Sequence, residues 1–567
     1  MLSTEYYVNC NLKPTEITIY PWLYEHEPEI AKKYPETDGK WMQFYHKSQL
    51  NVMWDLAKTK YRAGQLEEIA FMKVSTGYYK PCASSSDDGV ILLYCGPSHD
   101  EENIMKYGAS NTSLPIPFVK NGCLPIIGHL IPFLKDKSKF IFECQRSYGS
   151  RFFIELFSQR MIFLLDPNDW SPVIRNPNLS LPVKDFGTKT FGISRGFLDD
   201  EPIMNEIHRY FKLYLQSTES LDFLTARFSK CVRDVMIQDR ARIGCHVWHP
   251  YSLLELSHRM IFEASGRTLF GDINPLLLEK EFLLFDKKFH YFASLLPDFI
   301  YSLFLRREMD ARSNMTAYFN AHPHSDNESE LVYHRAKRIL EAESRQPNDL
   351  GASQTSIFWA SVGNTIPATF WSLFYILRDP HALQKINEEI CTHLPPFSFS
   401  DPNDKSFEFW TSGNIAKCVY LESAINEVLR IKGTPMVSRK CYQDTQISLA
   451  DGTMIPVREN DMVSLFPEVM HSDPNYFPEP EIYKFDRFLG KTTDTIKGFL
   501  TFGSGKTICP GRHFAKNEIK ICTALILQNI DYEFLETNMN ISCVKNRVGF
   551  GIAPPDCDIP IRYRYKE

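Results

Sequence analysis

The chain has 567 residues, of which 43% are hydrophobic and 13% aromatic, enough for a large buried core or for more than one domain. Its formal net charge of −6 excludes the basic field that nucleic-acid binding requires. The 14 cysteines are scattered without C-x-x-C pairs, which argues against a zinc site and against a secreted disulfide framework.

The first 108 residues predict a small α+β block. Their apolar patterns predict strands at 70–76 and 89–96, and the spacing from Leu50 to Ala57 predicts an amphipathic helix that ends at Gly64. The N-terminus has no charged segment followed by an apolar run, so we expect neither a signal peptide nor a membrane anchor there.

Three short runs in this block are distinctive: GKWM at 39–42, KVST at 73–76 and ILLYC at 91–95. They resemble part of a small eukaryotic family with a fold like that of translation initiation factor 4E. Cap-binding relatives of that factor hold a base between tryptophans, and Trp41 and Trp54 are candidates for that role. We favour the simpler interpretation that both are core residues.

Two later apolar segments are candidates for membrane contact. Residues 114–134 are too short and too interrupted by prolines for a spanning helix, but they suit contact with a membrane surface. Residues 289–305 are either an ordinary core helix or a second surface contact, and the sequence leaves both interpretations open.

A long apolar helix is predicted over residues 354–380, with a proline inside it. Pro367 has no N–H and clashes with the carbonyl group four residues earlier, so we expect the helix to kink or open there.

Two motifs with charged residues follow. Glu427 and Arg430 share one face of a predicted amphipathic helix, where a carboxylate and a guanidinium group can pair. Taken alone, a charge pair at this spacing is more often an exposed ion pair on the protein surface. A proline-rich run at 471–488 then contains Arg487.

A glycine-rich loop around Cys509 precedes the last long helix. Gly503, Gly505 and Gly511 allow positive φ angles and close approach to a flat ligand. The dipole and amides of the following helix favour the thiolate form of Cys509, which suits an axial ligand for haem iron. The alternative is an ordinary buried cysteine.

Together these motifs resemble the cytochrome P450 family, including its F-x-x-G-x-x-x-C-x-G spacing from Phe502 to Gly511. The resemblance implies a mainly α-helical domain with small β-sheets over residues 109–567, after the α+β block of residues 1–108. It implies haem as the cofactor, with Cys509 as the axial iron ligand and Glu427, Arg430 and Arg487 as one cluster beneath it. The cofactor-binding residues that it implies are Cys509, Phe502, Gly505, Lys506, Gly511 and Arg439, with Lys506 beside Thr507, where the family usually has an arginine.

The long apolar helix departs from most of that family. Its usual acid and alcohol, which relay protons, are replaced by Ile366 and Pro367, so proton delivery must use water, Thr365 or the substrate. The run N-T-I-P-A-T-F-W at 364–371 resembles the sterol 7α-hydroxylase branch, with sterol 12α-hydroxylase and prostacyclin synthase as cousins. By that likeness Asn364 lies over the haem and binds a polar group of a steroid, although satisfying a carbonyl group of the broken helix remains an alternative role.

The resemblance therefore implies a haem-thiolate monooxygenase that hydroxylates a sterol or related lipid with O₂. Since no flavin or nicotinamide motif is found, electrons would come from a separate NADPH-dependent P450 reductase. The implied location is the cytoplasmic face of the endoplasmic reticulum membrane, held peripherally. Two alternatives remain: a haem-thiolate isomerase resembling prostacyclin synthase, and a non-catalytic binding protein that works through the N-terminal block.

Overall fold

A computed structural model describes residues 54–55, 57–59, 114–120, 128–156, 159–294, 301, 304–401, 404–536 and 541–566, with the backbone of five earlier strands. The chain divides into two compact units, Met1–Phe133 with Phe152–Ile162, and Leu134–Arg151 with Phe163–Glu567. The domain boundary at residues 108–109 stays a prediction. The segments 114–134 and 289–305, expected at a membrane surface or in the core, lie partly outside the described residues.

The N-terminal strands form one sheet with the order β1-β2-β4-β5-β3. Their bounds are Tyr6–Tyr7 (β1), Trp22–His26 (β2), Gly39–His46 (β3), Phe71–Ser75 (β4) and Asp88–Cys95 (β5). Strands β4 and β5 confirm the two strands predicted at 70–76 and 89–96. Trp54 is 1% exposed, as the core interpretation predicts, whereas the side chain of Trp41 lies outside the described residues.

The remaining elements are mostly helices, which confirms the predicted mainly α-helical class. The helices are Leu130–Lys135 (α1), Lys137–Tyr148 (α2), Trp170–Arg175 (α3), Val183–Phe186 (α4), Arg195–Leu198 (α5), Glu201–Gln216 (α6), Thr218–Ile243 (α7), Leu253–Phe270 (α8), Glu279–Ala293 (α9), Arg306–Ala321 (α10), Glu330–Leu340 (α11), Asp349–Val362 (α12), Thr365–Arg378 (α13), Pro380–His393 (α14), Ser412–Ile415 (α15), Val419–Lys432 (α16), Pro467–His471 (α17) and Arg512–Asn529 (α18). The strands are Arg151–Leu156 (β6), Gln159–Leu164 (β7), Leu179–Ser180 (β8), His249–Ser252 (β9), Val437–Cys441 (β10), Thr445–Ser448 (β11), Met454–Val457 (β12), Met462–Leu465 (β13), Ile530–Phe534 (β14) and Pro560–Tyr565 (β15).

The strands of the second unit pair in small antiparallel groups. Strand β10 pairs with β13 on one side and with β8 on the other. Strands β11 and β12 pair with each other, and β15 pairs with both β14 and β9.

Helices α7, α8, α13 and α18 pack against one another at the centre of the second unit. Helix α13 is buried on every side, from Thr365 to Leu377, as expected for a helix that is apolar all round. The predicted opening near Pro367 is confirmed, because α12 ends at Val362 and α13 begins at Thr365. Pro367 falls in the first turn of α13, where no helical N–H is required.

One carboxyl group lies inside this core. Glu518 of α18 is 1% exposed, and its Oε1 accepts a hydrogen bond of 2.6 Å from the Ser265 hydroxyl of α8. Burial raises the pKa of Glu518 to about 8, and the Ser265 hydrogen bond only partly opposes that effect. Glu518 is therefore a neutral hydrogen-bonding group of the core at pH 7.

The Glu518→Gln variant should change how stability depends on pH. Between the ordinary carboxyl pKa of 4.5 and about 8, the folded protein keeps a proton that the unfolded chain releases, so the free energy of unfolding falls as pH rises. Glutamine cannot release a proton, so the variant does not lose stability in this way. We expect its free energy of unfolding to exceed that of the wild type by on the order of 1–3 kcal/mol at pH 8 and to differ little at pH 5. Thermal unfolding at both pH values measures the difference, with the exposed Glu343→Gln as control. An equal effect at both pH values would contradict the assignment.

Candidate functional site

The loop before α18 is held in a tight turn around Cys509. The Cys509 N–H donates to the Phe502 carbonyl group at 2.9 Å, and residues Gly505–Thr507 form one 3₁₀ turn. Gly505 has φ +63°, and a Cβ there would lie 2.7 Å from Ile174 Cγ2, so no other residue fits. Gly511 has φ −88°, so this position does not use the positive φ that a glycine allows.

The thiol of Cys509 is less acidic than the sequence predicts. Burial raises its pKa, and the Gly511 amide and the Arg512 charge only partly oppose that effect. The expectation that the helix terminus alone favours the thiolate is therefore wrong, because desolvation outweighs it. A metal cation bonded to the sulfur would supply the missing stabilisation of the thiolate.

Glu427, Arg430 and Arg487 form a buried ion cluster. Glu427 accepts hydrogen bonds from Arg430 Nε at 2.8 Å and Nη2 at 2.9 Å, and from Arg487 Nε at 2.9 Å to each carboxylate oxygen. Arg430 Nη1 also donates to the His471 carbonyl group at 2.6 Å, and Nη2 to that of Pro480 at 2.7 Å. The cluster thereby fastens α16 to α17 and to the loop that leads to Cys509.

Arg439 of β10 lies beside the Cys509 loop. Its Nη2 donates to Thr507 Oγ1 at 2.7 Å and to the Ser504 carbonyl group at 3.1 Å, and among the described residues it forms no ion pair. The nearby Ser504 hydroxyl is buried without a partner in the same part of the chain. A buried cation and an unpartnered hydroxyl fit the acidic edge of a haem, whereas Lys506 is exposed.

An open stripe runs along α12 towards the break in the helix. Ser356, Ile357, Ala360 and Ser361 remain accessible, and their spacing places them on one face that ends at Asn364. The two serine hydroxyls donate to backbone carbonyl groups of their own helix, at 2.7 and 2.8 Å. Unlike these two hydroxyls, the side-chain amide of Asn364 is available to partners outside the helix. Thr365, next to it, is buried at 4% exposed.

Asn364 has a partner that sequence reasoning missed. Its Oδ1 accepts a hydrogen bond of 3.1 Å from the Ile552 N–H, so it bonds the C-terminal loop rather than a carbonyl group of the broken helix. A Cβ at Gly551 would lie 2.2 Å from this oxygen. The sequence signal for this contact is the pair of glycines, Gly549 and Gly551, on either side of one phenylalanine. Both glycines have positive φ in the structure.

Comparisons with known proteins identify the family of the chain. The family model for cytochrome P450 matches residues 119–560. Cytochrome P450 7B1 of Mus musculus is 29% identical over 79% of this chain and 90% of its own. The 7-alpha-hydroxycholest-4-en-3-one 12-alpha-hydroxylase of Oryctolagus cuniculus is 28% identical, over 79% and 93%. The cholesterol 7-alpha-monooxygenase of Cricetulus griseus is 28% identical, over 79% and 94%.

The chain belongs to the cytochrome P450 family, and haem is its cofactor. It is an oxidoreductase of that family, and the relatives favour the monooxygenase interpretation over the isomerase and binding-protein alternatives. When bound, a haem with a cysteinate ligand supplies the oxygen-activating chemistry, because thiolate donation favours O–O cleavage. Among the helices of the described ranges, none combines the length and apolar character that a membrane crossing needs.

Proposed function

We propose that this protein is a sterol hydroxylase, which inserts one oxygen atom of O₂ into a C–H bond of a sterol or related lipid. The names of two relatives, a hydroxycholestenone 12-alpha-hydroxylase and a cholesterol 7-alpha-monooxygenase, support this substrate class. In this proposal Cys509 would bind the haem iron through its sulfur, and Arg439 would hold the acidic edge of the haem. Phe502, Gly505, Lys506 and Gly511 complete the loop that holds the cofactor.

The observation that carries the proposal is the orientation of the Asn364 amide. A backbone N–H can only donate, so the contact with Ile552 fixes Oδ1 and leaves the NH₂ group as a donor. This group meets no acceptor among the described residues. A free amide donor at the end of a face whose two serine hydroxyls already bond their own helix suits a hydroxyl or ketone oxygen on a flat apolar molecule.

The residues around the break then have distinct tasks. Asn364 orients the substrate through its NH₂ group, and the stacked rings of Phe289 and Trp359, 3.7 Å apart between centroids, help to exclude water. The hydroxyl of Thr365 can hold and pass a proton, since Ile366 and Pro367 carry no acidic or hydroxyl group. Both Asn364 and Thr365 are catalytic residues in this proposal.

We assign electron delivery to a separate NADPH-dependent P450 reductase, because the sequence has no flavin or nicotinamide motif. We assign the enzyme to the cytoplasmic face of the endoplasmic reticulum membrane, held peripherally at the membrane surface. The apolar segments 114–134 and 289–305 support that assignment through their composition.

The test is turnover of a panel of neutral sterols by the purified holoenzyme with reductase, NADPH and O₂, with products identified by mass spectrometry. We expect a singly hydroxylated sterol that forms only when reductase is present. Asn364→Asp keeps the acceptor for Ile552 but loses the donor, so KM should rise about tenfold with a smaller change in kcat.

Ser361→Ala is the matched control, because the Ser361 hydroxyl is already bonded to its own helix. An isomerised product that forms without reductase would contradict the proposal and favour an isomerase. Unchanged KM in Asn364→Asp would contradict the role given to its NH₂ group.

A further inference from the structure

Arg335 is buried in the second unit without an acidic partner among the described residues. It lies on α11, which packs against both α6 and α12, and it is 4% exposed. Burial lowers the pKa of Arg335 to about 10, and no carboxylate of the described residues opposes that effect. The side chain therefore keeps its positive charge at pH 7, although buried charges are ordinarily paired.

The hydrogen bonds of Arg335 go to two neutral side chains of α12. Its Nη2 donates to Ser353 Oγ at 2.8 Å, and its Nη1 donates to Gln354 Oε1 at 3.3 Å. Its Nε is buried and has no partner in the described part of the chain. The ring centroid of Phe211 on α6 lies 5.3 Å from the guanidinium carbon. An aromatic face attracts a cation but does not neutralise it, so the charge stays uncompensated.

The two neutral neighbours also have donors to spare. Because Ser353 Oγ and Gln354 Oε1 accept from Arg335, the hydroxyl hydrogen of Ser353 and the NH₂ group of Gln354 are left as donors. Both residues are buried, and neither side chain donates a hydrogen bond to another described residue. Spare donors from three side chains therefore surround one positive charge, which is the environment that an anion requires.

The acidic residue nearest along this helix interface already has partners. Glu206 of α6 accepts hydrogen bonds from Arg338 Nε and from the Tyr210 hydroxyl, so its charge is used one turn away from Arg335. The charge of Arg335 acts on α6 as well. Burial lowers the pKa of His208, and the positive charge of Arg335 adds to that effect. The packed helices thus bring a cation here without its counter-charge.

We propose that Arg335, Ser353 and Gln354 bind a small monatomic anion, which is chloride under physiological conditions. The anion accepts hydrogen bonds from Arg335 Nε, the Ser353 hydroxyl and the Gln354 amide, and it neutralises the guanidinium group. A monatomic ion suits a site that lies between three helices and offers few donors. The ion fastens α11 to the first half of α12, the helix that carries the open stripe. This inference does not depend on the sterol chemistry proposed above.

The test is thermal unfolding of the holoenzyme at constant ionic strength, with chloride replacing gluconate, an anion too large for a buried site. We expect the unfolding temperature to rise by about 3 °C and to saturate with chloride concentration, because the ion binds the folded state alone. A general effect of salt would not saturate in this way once ionic strength is held constant. Bromide should act like chloride, and crystals grown in bromide should show an anomalous scattering peak beside Arg335 Nε.

Gln354→Glu is the most informative variant, because it places a carboxylate where the amide now contacts Arg335. We expect it to unfold at a higher temperature than the wild type in gluconate and to lose the response to chloride, since the counter-charge is now part of the chain. Arg335→Met removes the charge and the Nε donor, and it should also lose the response to chloride, whatever its own stability.

Arg338→Met is the matched control, because Arg338 lies three residues later on α11, pairs with Glu206 and has a side chain that is 25% exposed. Its response to chloride should equal that of the wild type. An unfolding temperature of the wild type that does not depend on chloride would overturn the site. A response that persists in both Gln354→Glu and Arg335→Met would mean that the anion binds elsewhere, which also overturns the assignment. Neither result bears on the hydroxylase proposal, which turnover of sterols tests separately.

Discussion

The Cys509→Ala variant is expected to lose all hydroxylase activity and the strongly red-shifted Soret band of the reduced carbon monoxide complex. The reason is that the sulfur at this position is the thiolate donor that the proposed chemistry requires. The hydrogen bond between the Cys509 N–H and the Phe502 carbonyl group is made by the backbone, so alanine can preserve the turn. We therefore expect a folded protein with normal helical circular dichroism but with little or no haem.

Cys522→Ala is the matched control for this experiment. Cys522 lies on α18, is fully buried and has a pKa raised by desolvation, so it is an ordinary core thiol. Its variant should keep the red-shifted band and the activity, with only a small loss of stability for the missing sulfur. A red-shifted band that persists in Cys509→Ala and disappears in Cys522→Ala would overturn the assignment of the ligand.

Replacing the Glu427 carboxylate by an amide in Glu427→Gln should cause a large loss of stability. The Glu427 carboxylate is 0% exposed and is the shared acceptor of Arg430 and Arg487. The glutamine amide would leave two buried guanidinium groups without a counter-charge, which typically costs 3–5 kcal/mol. Urea unfolding of the haem-loaded protein, monitored by circular dichroism and by the Soret band, measures this cost.

The control is Glu388→Gln on the surface of α14. Glu388 pairs with Lys385 at 3.5 Å, and these partners are three positions apart, as Glu427 and Arg430 are. The side chain of Glu388, however, is 54% exposed. We expect Glu388→Gln to have little effect on stability, because solvent already screens the pair. A cost below about 1 kcal/mol for Glu427→Gln would show that the ion cluster does not stabilise the packing of α16 against α17.

The features that sequence reasoning found are those with a local pattern. Glu427 and Arg430 are three residues apart on one helix, and the Cys509 loop carries its glycines within nine residues, so spacing alone brought each group together. Pro367 predicted a break in the helix through its missing N–H. Arg487 is 60 residues from Glu427, and only the resemblance to a family connected them.

The features that it missed depend on distant contacts or on burial. Asn364 and Ile552 are 188 residues apart, and Lys137 and Val548 are 411 apart, so no periodicity links them. The prediction that the Cys509 thiol is acidic was wrong for a different reason. Helix position is visible in a sequence, whereas the desolvation that outweighs it depends on the packing of the whole loop.

The loop from Arg547 to Ile552 also has a consequence for biosynthesis. During translation the Glu427 cluster and the Cys509 loop leave the ribosome before residues 547–552 do, so the proximal half can fold first. Ile552, whose N–H bonds Asn364, becomes available only when this late segment docks. A nascent chain can therefore form the surroundings of Cys509 while the substrate side is still open. In that order, a large planar cofactor can enter before the last loop packs against the substrate side.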